Sequence, residues 1–87
     1  MNERHYNIAI IPFTRSGSWT SDCNDLTFWN QGTQNVTING AMVIEPQQSI
    51  TFPGYPGEKL TQAFDITFPN DLQPGCNLII IMKEYAK

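Results

Sequence analysis

The feature that most constrains the fold is an Asn39-Gly40 pair between two short β-rich runs, Val36-Thr37-Ile38 and Met42-Val43-Ile44. This arrangement is the strongest short-range signal for a β-hairpin, because a two-residue type I′ turn needs positive φ at both central positions. Glycine adopts positive φ without steric cost, and asparagine tolerates it better than most residues. The sequence therefore predicts a hairpin here and favours an all-β domain.

Short runs of β-branched and aromatic residues recur along the chain and are closed by proline, glycine or asparagine. Phe64, Ile66 and Phe68 alternate with polar residues, which is the pattern of a strand with one buried face. The first run, Tyr6–Phe13, becomes apolar on both faces toward its end, and we expect it to be a core strand. The other predicted strands are 26–29, the two arms of the hairpin, 49–52 and 77–82.

No segment shows helical periodicity over ten residues, and no linker or repeat divides the chain. We therefore predict one domain over residues 1–87, a small β-sandwich or barrel of about seven short, mainly antiparallel strands. A domain of 87 residues has little surplus stability, so a covalent staple or a partner subunit is expected.

Two large aromatic side chains lie in segments that are predicted to be loops. Trp19 stands in the polar stretch 14–25, and Tyr55 stands in 53–59, which is dense in proline and glycine. Aromatic side chains in such loops often anchor protein interfaces, so Trp19 and Tyr55 are the predicted partner-binding residues. The alternative for each ring is that it folds back over one end of the small core.

Charge and hydropathy exclude several classes of function. Five basic and eight acidic residues give a formal net charge of −3, without the basic surface that binds nucleic acid or an anionic membrane. The longest apolar runs are too short to span a bilayer, and the polar start of the chain lacks an export signal. We expect a chain that is made in the cytoplasm.

The residues that usually carry chemistry are few and scattered. Cys23 and Cys76 lack the spacing of a metal site. A disulfide between them would stabilise the fold by about 4 kcal/mol. A reducing cytosol favours two free thiols instead. His5 is the only histidine, close to the chain terminus. Asp22 and its neighbours lack the spacing of a calcium loop, and we interpret 22–25 as a turn whose side chains bond to nearby backbone. We expect neither an enzyme nor a cofactor or metal site.

Two segments of the chain resemble a known class of protein. Residues 28–54 read FWNQGTQNVTINGAMVIEPQQSITFPG, and residues 77–85 read NLIIIMKEY. They are similar to small accessory structural proteins of tailed bacteriophages, although Glu45-Pro46-Gln47 replaces a Pro-Gly of that pattern. The resemblance implies a virion protein, assembled in many copies, that decorates the capsid or joins larger parts of the particle, without catalytic residues. Its partners would be a larger virion protein, such as a capsid protein, or copies of itself. A small carbohydrate- or ligand-binding module is the alternative.

Overall fold

A computed structural model describes residues 6–54, 58–70 and 75–85 of the chain. The described residues are all-β and contain no helix, so the predicted fold class is confirmed. One strand more is present than the seven expected. The strands are β1 (Tyr6–Phe13), β2 (Gly17–Thr20), β3 (Asp25–Asn30), β4 (Val36–Ile38), β5 (Met42–Ile44), β6 (Ser49–Phe52), β7 (Ala63–Thr67) and β8 (Leu78–Tyr85).

The strands form two antiparallel four-stranded sheets that pack into a β-sandwich. Sheet A has the order β1-β8-β3-β6, and sheet B has the order β2-β7-β4-β5. The edge strands are therefore β1 and β6 in sheet A and β2 and β5 in sheet B. Each sheet has an inner face toward the core and an outer face directed away from it.

The core lies between the two inner faces and contains an aromatic cluster. The rings of Phe28 and Phe64 meet edge to face with centroids 5.1 Å apart, and this contact joins β3 of sheet A to β7 of sheet B. Phe64, Ile66 and Phe68 are buried while Asp65 is exposed, so the alternation predicted for this strand is confirmed. The other buried apolar residues are Cys23, Leu26, Val36, Ile38, Ile44, Cys76, Leu78 and Ile80.

The predicted hairpin is present, with one more residue in its connection than expected. Asn39 and Gly40 have φ angles of 55° and 69°, as a type I′ turn requires. Ile38 pairs with Met42, however, so Ala41 also belongs to the connection. The Asn39 Oδ1 accepts a hydrogen bond from the Asp65 N–H, and the Asn39 N–H donates to the Asp65 carbonyl oxygen, each over 2.8 Å. Asn39 thus extends the pairing of β4 with β7 beyond the strand.

Two expectations about the amino-terminal part of the chain are wrong. Tyr6–Phe13 is an edge strand and not a core strand, and Ile8 and Ile10 are 58% and 62% exposed. An apolar pattern indicates which residues favour burial, but it does not indicate how many strands flank them in the sheet. The stretch 14–25 is also not a loop throughout, since it contains β2. Its sequence Gly-Ser-Trp-Thr lacks apolar alternation because Gly17, which shares the inner face with Trp19, has no side chain.

The buried side chain of Asn30 joins the two sheets at one end of the sandwich. Its Nδ2 donates to the carbonyl oxygens of Ile44 at 2.9 Å and Gln34 at 2.7 Å, and its Oδ1 accepts from the Gly32 N–H at 3.0 Å. Ile44 belongs to sheet B, whereas Asn30 ends β3 of sheet A. A buried amide is stable only when its polar atoms are bonded in this way. Sequence reasoning treated Asn30 only as a strand terminator.

Both cysteines are free thiols, as the sequence predicted, and both are buried in the core. Burial raises the pKa of the Cys23 thiol above its ordinary value. The Cys76 Sγ donates to the carbonyl oxygen of Asn70 at 3.3 Å. Both cysteines therefore serve the fold as small apolar side chains.

Candidate protein-interaction surface

The outer face of sheet A carries apolar side chains in neighbouring rows. Ile79 pairs with Pro12 on one side and with Trp29 on the other, and Ile81 pairs with Ile10. Directly opposed residues of antiparallel strands project to the same face. Along their strands these five residues alternate with residues that are buried in the core or packed against it, such as Ile80 and Ile11, and they therefore lie together on the face directed away from the core.

We call this set, with Ile8, the apolar outer patch. Ile8 and Ile10 expose more than half of their surface, and Trp29 is 36% exposed. Exposed large apolar side chains in one contiguous area are uncommon on a monomeric protein and are often functional. The members of the apolar outer patch are Ile8, Ile10, Pro12, Trp29, Ile79 and Ile81.

One end of the apolar outer patch carries a charged and aromatic rim. The Lys83 Nζ lies 4.4 Å from the centroid of the Tyr6 ring and 4.9 Å from that of the Tyr85 ring. The Asp25 Oδ2 lies 3.9 Å from the same Nζ. Hydrogen bonding to Tyr85 raises the pKa of Lys83, and the charge of Asp25 acts in the same direction, so the ammonium group stays protonated. A polar rim around an apolar centre is the usual anatomy of a protein interface.

The hydroxyl groups of β3 and β6 form the rim on a second side. The Oγ1 atoms of Thr27 and Thr51 lie 3.0 Å apart in one hydrogen bond. Ser49 pairs with Trp29 and therefore lies beside its ring on the outer face.

Strand β1 borders the patch and presents a long free edge. It has eight residues, whereas the other edge strands β2, β5 and β6 have four, three and four. Within the described ranges, β8 is the only strand that pairs with β1. Edge strands of natural proteins are usually shortened, charged or covered, because their unpaired backbone groups bind other strands. β1 has no charged residue, and its only such device is Pro12 near the carboxyl end.

The structure describes one of the two predicted partner-binding residues. Trp19 lies on the inner face of β2, where its ring stacks on Phe64 at 6.1 Å and meets Phe28 edge to face at 6.4 Å. This geometry favours the alternative that Trp19 covers the core, and its partner-binding role stays a prediction. Tyr55 lies outside the described residues, as does His5.

Sequence reasoning missed the apolar outer patch. The alternation of Tyr6, Ile8 and Ile10 was visible, but it indicates an exposed surface only once β1 is known to be an edge strand. The same limit applied to Trp29, for which the sequence indicated core or sheet-face packing, and to Ile79 and Ile81 in the run 77–82, which is apolar on both faces.

The acidic segment 22–25 is tied to distant parts of the chain, so its interpretation as a local turn is wrong. The Asn24 Oδ1 accepts from the Tyr85 N–H at 2.6 Å, and its Nδ2 donates to the Glu58 carbonyl oxygen. The Asp25 Oδ1 accepts from the Gly54 N–H. These long-range bonds form because β3 starts where β8 ends. In the ranges that the structure covers, no three metal-ligating side chains form a group.

An open pocket lies between the β4–β5 hairpin and residues 60–64. It has a volume of about 260 Å³ and is open to solvent. Its walls contain no charged side chain, so it lacks the acid, base or nucleophile that a catalytic site needs. The lining residues are Ile38, Asn39, Ala41, Met42, Phe52, Leu60, Gln62 and Phe64.

No family model, curated protein or solved structure matches this chain. A helix long and apolar enough to cross a membrane does not occur in the part of the chain that the structure describes. The apolar outer patch and the free edge of β1 are the features of the described residues that best fit a binding role.

Proposed function

We propose that this protein is a non-enzymatic structural component of a bacteriophage particle, which decorates the capsid or joins capsid and tail parts through the apolar outer patch. The observation that carries this proposal is the apolar character of one outer face in a sandwich whose other outer face is polar. The core does not require an apolar outer face on sheet A, because the two inner faces already supply its apolar side chains.

The energetics of the patch favour contact with a protein. Complete burial of an isoleucine side chain contributes about 1.5–3 kcal/mol relative to leaving it in water. In the isolated chain, Ile8 and Ile10 expose more than half of their surface, so more than half of this stabilisation is gained only when a partner covers them. Trp29 adds an aromatic side chain of the kind that dominates interface energies. The flanking Thr27 and Lys83 supply polar groups for the rim.

The assignment to a phage particle is supported by the segments that resemble phage accessory proteins. Residues 28–54 include Trp29, and residues 77–85 include Ile79 and Ile81. Half of the apolar outer patch thus comes from the segments that carry the resemblance. A decoration or joining protein needs such a surface and no catalytic group.

The test compares particle incorporation of two matched variants. Ile10→Asp places a charge in the apolar outer patch, and Val43→Asp places one at a 50% exposed site on the outer face of sheet B. Mass spectrometry of particles purified from cells infected by the phage that encodes this chain measures the copies incorporated. We expect at least a tenfold loss for Ile10→Asp, about 1.4 kcal/mol, and none for Val43→Asp.

Two outcomes would contradict the proposal. Absence of the parent protein from purified particles would remove the virion role. Equal incorporation of both folded variants would show that another surface makes the contact. Thermal melting of each variant confirms that the fold is intact before incorporation is compared.

Trp29 favours a carbohydrate-binding module as the second candidate. Its partly exposed ring lies beside Ser49 and near the hydroxyls of Thr27 and Thr51, and an aromatic face bordered by hydroxyls suits a sugar ring. Titration with a glycan panel tests this function. Binding that Trp29→Ala abolishes, in a protein absent from particles, would support the module.

A further inference from the structure

We propose that β1 pairs with β1 of a second copy of this chain, antiparallel about a two-fold axis, so that two A sheets become one eight-stranded sheet. This inference rests on the proposed function, because it names one partner in the assembly. The dimer would place two apolar outer patches side by side on one continuous face. That face would remain available to a larger protein.

The backbone of β1 presents hydrogen-bond donors along its free edge. Proline in a sheet is confined to positions where its missing N–H would point away from the neighbouring strand. Pro12 is paired with Ile79 of β8, so its nitrogen points to the free edge. Backbone direction alternates along a strand, and the N–H groups of Ile8 and Ile10 therefore point to the same edge. A second strand can accept both hydrogen bonds.

The absence of charge along β1 suits a second copy of the same strand as its partner. The sequence Tyr-Asn-Ile-Ala-Ile-Ile-Pro-Phe contains no ionisable side chain except the neutral tyrosine. Two copies in antiparallel pairing thus bring no like charges together, although each whole chain carries a net charge of −3. Lys83 and Glu84, which pair with Ile8 and Asn7, lie on β8, on the side of β1 away from its free edge.

The apolar pattern of β1 selects one register for the pair of strands. A two-fold axis through Ala9 pairs Ile8 of each copy with Ile10 of the other, and Tyr6 with Pro12. Seven residues of each strand then overlap, and four isoleucines meet on the outer face. Pairs of β-branched residues across strands stabilise a sheet, and a matched apolar face holds the register. Ala9, the smallest side chain of β1, lies at the axis.

The size of this interface indicates how strong the association is. Seven paired residues bury less than the roughly 800 Å² per partner of a standard interface. We therefore expect a weak, concentration-dependent dimer in solution. Many copies held on one particle would strengthen it, because the second contact becomes intramolecular.

The first test is a cysteine at the axis. In this register Ile8 of each copy exchanges hydrogen bonds with Ile10 of the other copy. Ala9 therefore forms a non-hydrogen-bonded pair with Ala9 of the other copy. The two Cα atoms of such a pair are about 4.5 Å apart, which is within the range of a disulfide. Ala9→Cys should yield a disulfide-linked dimer under mild oxidation, at least tenfold more than the control Ser49→Cys on the opposite edge strand β6. Cys23 and Cys76 are buried and do not compete. Equal yields from the two variants would overturn the inference.

The second test exchanges charges at the axis. Ala9→Lys and Ala9→Asp each place like charges opposite one another, so each variant alone should associate at least tenfold more weakly than the parent. An equimolar mixture should recover the association, measured by analytical ultracentrifugation across a concentration series. Unchanged association of the separate variants, or no recovery in the mixture, would refute β1 pairing. Ala9 is exposed, so thermal melting should show folded variants.

The two proposals fail in different ways. A chain that stays monomeric but enters particles through Ile10 would refute β1 pairing and leave the virion role intact. A chain that dimerises through Ala9 but is absent from particles would refute the virion role alone.

Discussion

The two sheets of this sandwich have equivalent inner faces and opposite outer faces. On sheet B, Ser18 Oγ donates to Asp65 Oδ1 at 2.9 Å, and Thr37 pairs with Thr67, so that surface is polar. Val43 is its exposed large apolar residue. Sheet A presents the apolar outer patch instead. Packing between the sheets accounts for the apolar inner faces, whereas the core does not require the apolar side chains on the outer face of sheet A.

The largest effect is expected inside the sandwich, where both sheets depend on one aromatic cluster. Phe64→Ala should lower the free energy of unfolding by about 3–5 kcal/mol, because it leaves a cavity beside Phe28 and Trp19. Thr67→Ala, on the outer face of the same strand, should change it by less than about 0.5 kcal/mol. Urea denaturation measures both. Equal losses would mean that the outer face of sheet B is also packed against something.

The next effect concerns the bond that holds the two sheets in register at one end. Asn30→Ala should cost about 2–4 kcal/mol, because the carbonyl oxygens of Ile44 and Gln34 and the N–H of Gly32 lose their buried partner. Gln31→Ala, at the exposed neighbouring position, serves as the control. Guanidinium titration of both variants gives the difference, and an Asn30 variant as stable as the control would remove the joining role.

A smaller effect is expected at the hairpin of sheet B. Asn39→Val should cost about 1–3 kcal/mol, because a β-branched residue is strained at positive φ and because the bond from the Asp65 N–H is lost. Asn39→Asp keeps an acceptor oxygen and tolerates the conformation, so it should retain most of the stability. Thermal unfolding of the pair tests the turn. Identical melting temperatures for the valine variant and the parent would contradict it.

The smallest effect on stability tests the contrast between the outer faces directly. Ile8→Thr on sheet A and Val43→Thr on sheet B should each change the unfolding free energy by less than about 0.5 kcal/mol, because both sites are exposed. Their surface behaviour should differ. Retention on a hydrophobic-interaction column should fall more for Ile8→Thr, which interrupts a contiguous patch. Equal retention would mean that Ile8 is no more part of an apolar surface than the isolated Val43.

The local features of this fold could be predicted from the sequence. Asn39 and Gly40 determine a turn through backbone sterics, and the spacing of Phe64, Ile66 and Phe68 determines a strand with one buried face. Both features depend on residues that are close together in the chain. The small number and wide spacing of the ionisable residues are likewise visible in the sequence. The predicted length of the hairpin connection was wrong by one residue, because Ala41 also lies between the paired residues Ile38 and Met42.

The tertiary structure alone decided which apolar residues are buried. Ile8 and Ile80 have the same side chain in similarly apolar runs, yet Ile8 is 58% exposed and Ile80 is fully buried. The difference arises because Ile8 lies on the outer face of an edge strand, whereas Ile80 lies on the inner face of a central strand. Trp19 shows the converse, since a polar neighbourhood concealed a ring that pairing with β7 turns toward the core. Strand order depends on contacts between distant segments, and local residue patterns do not contain it.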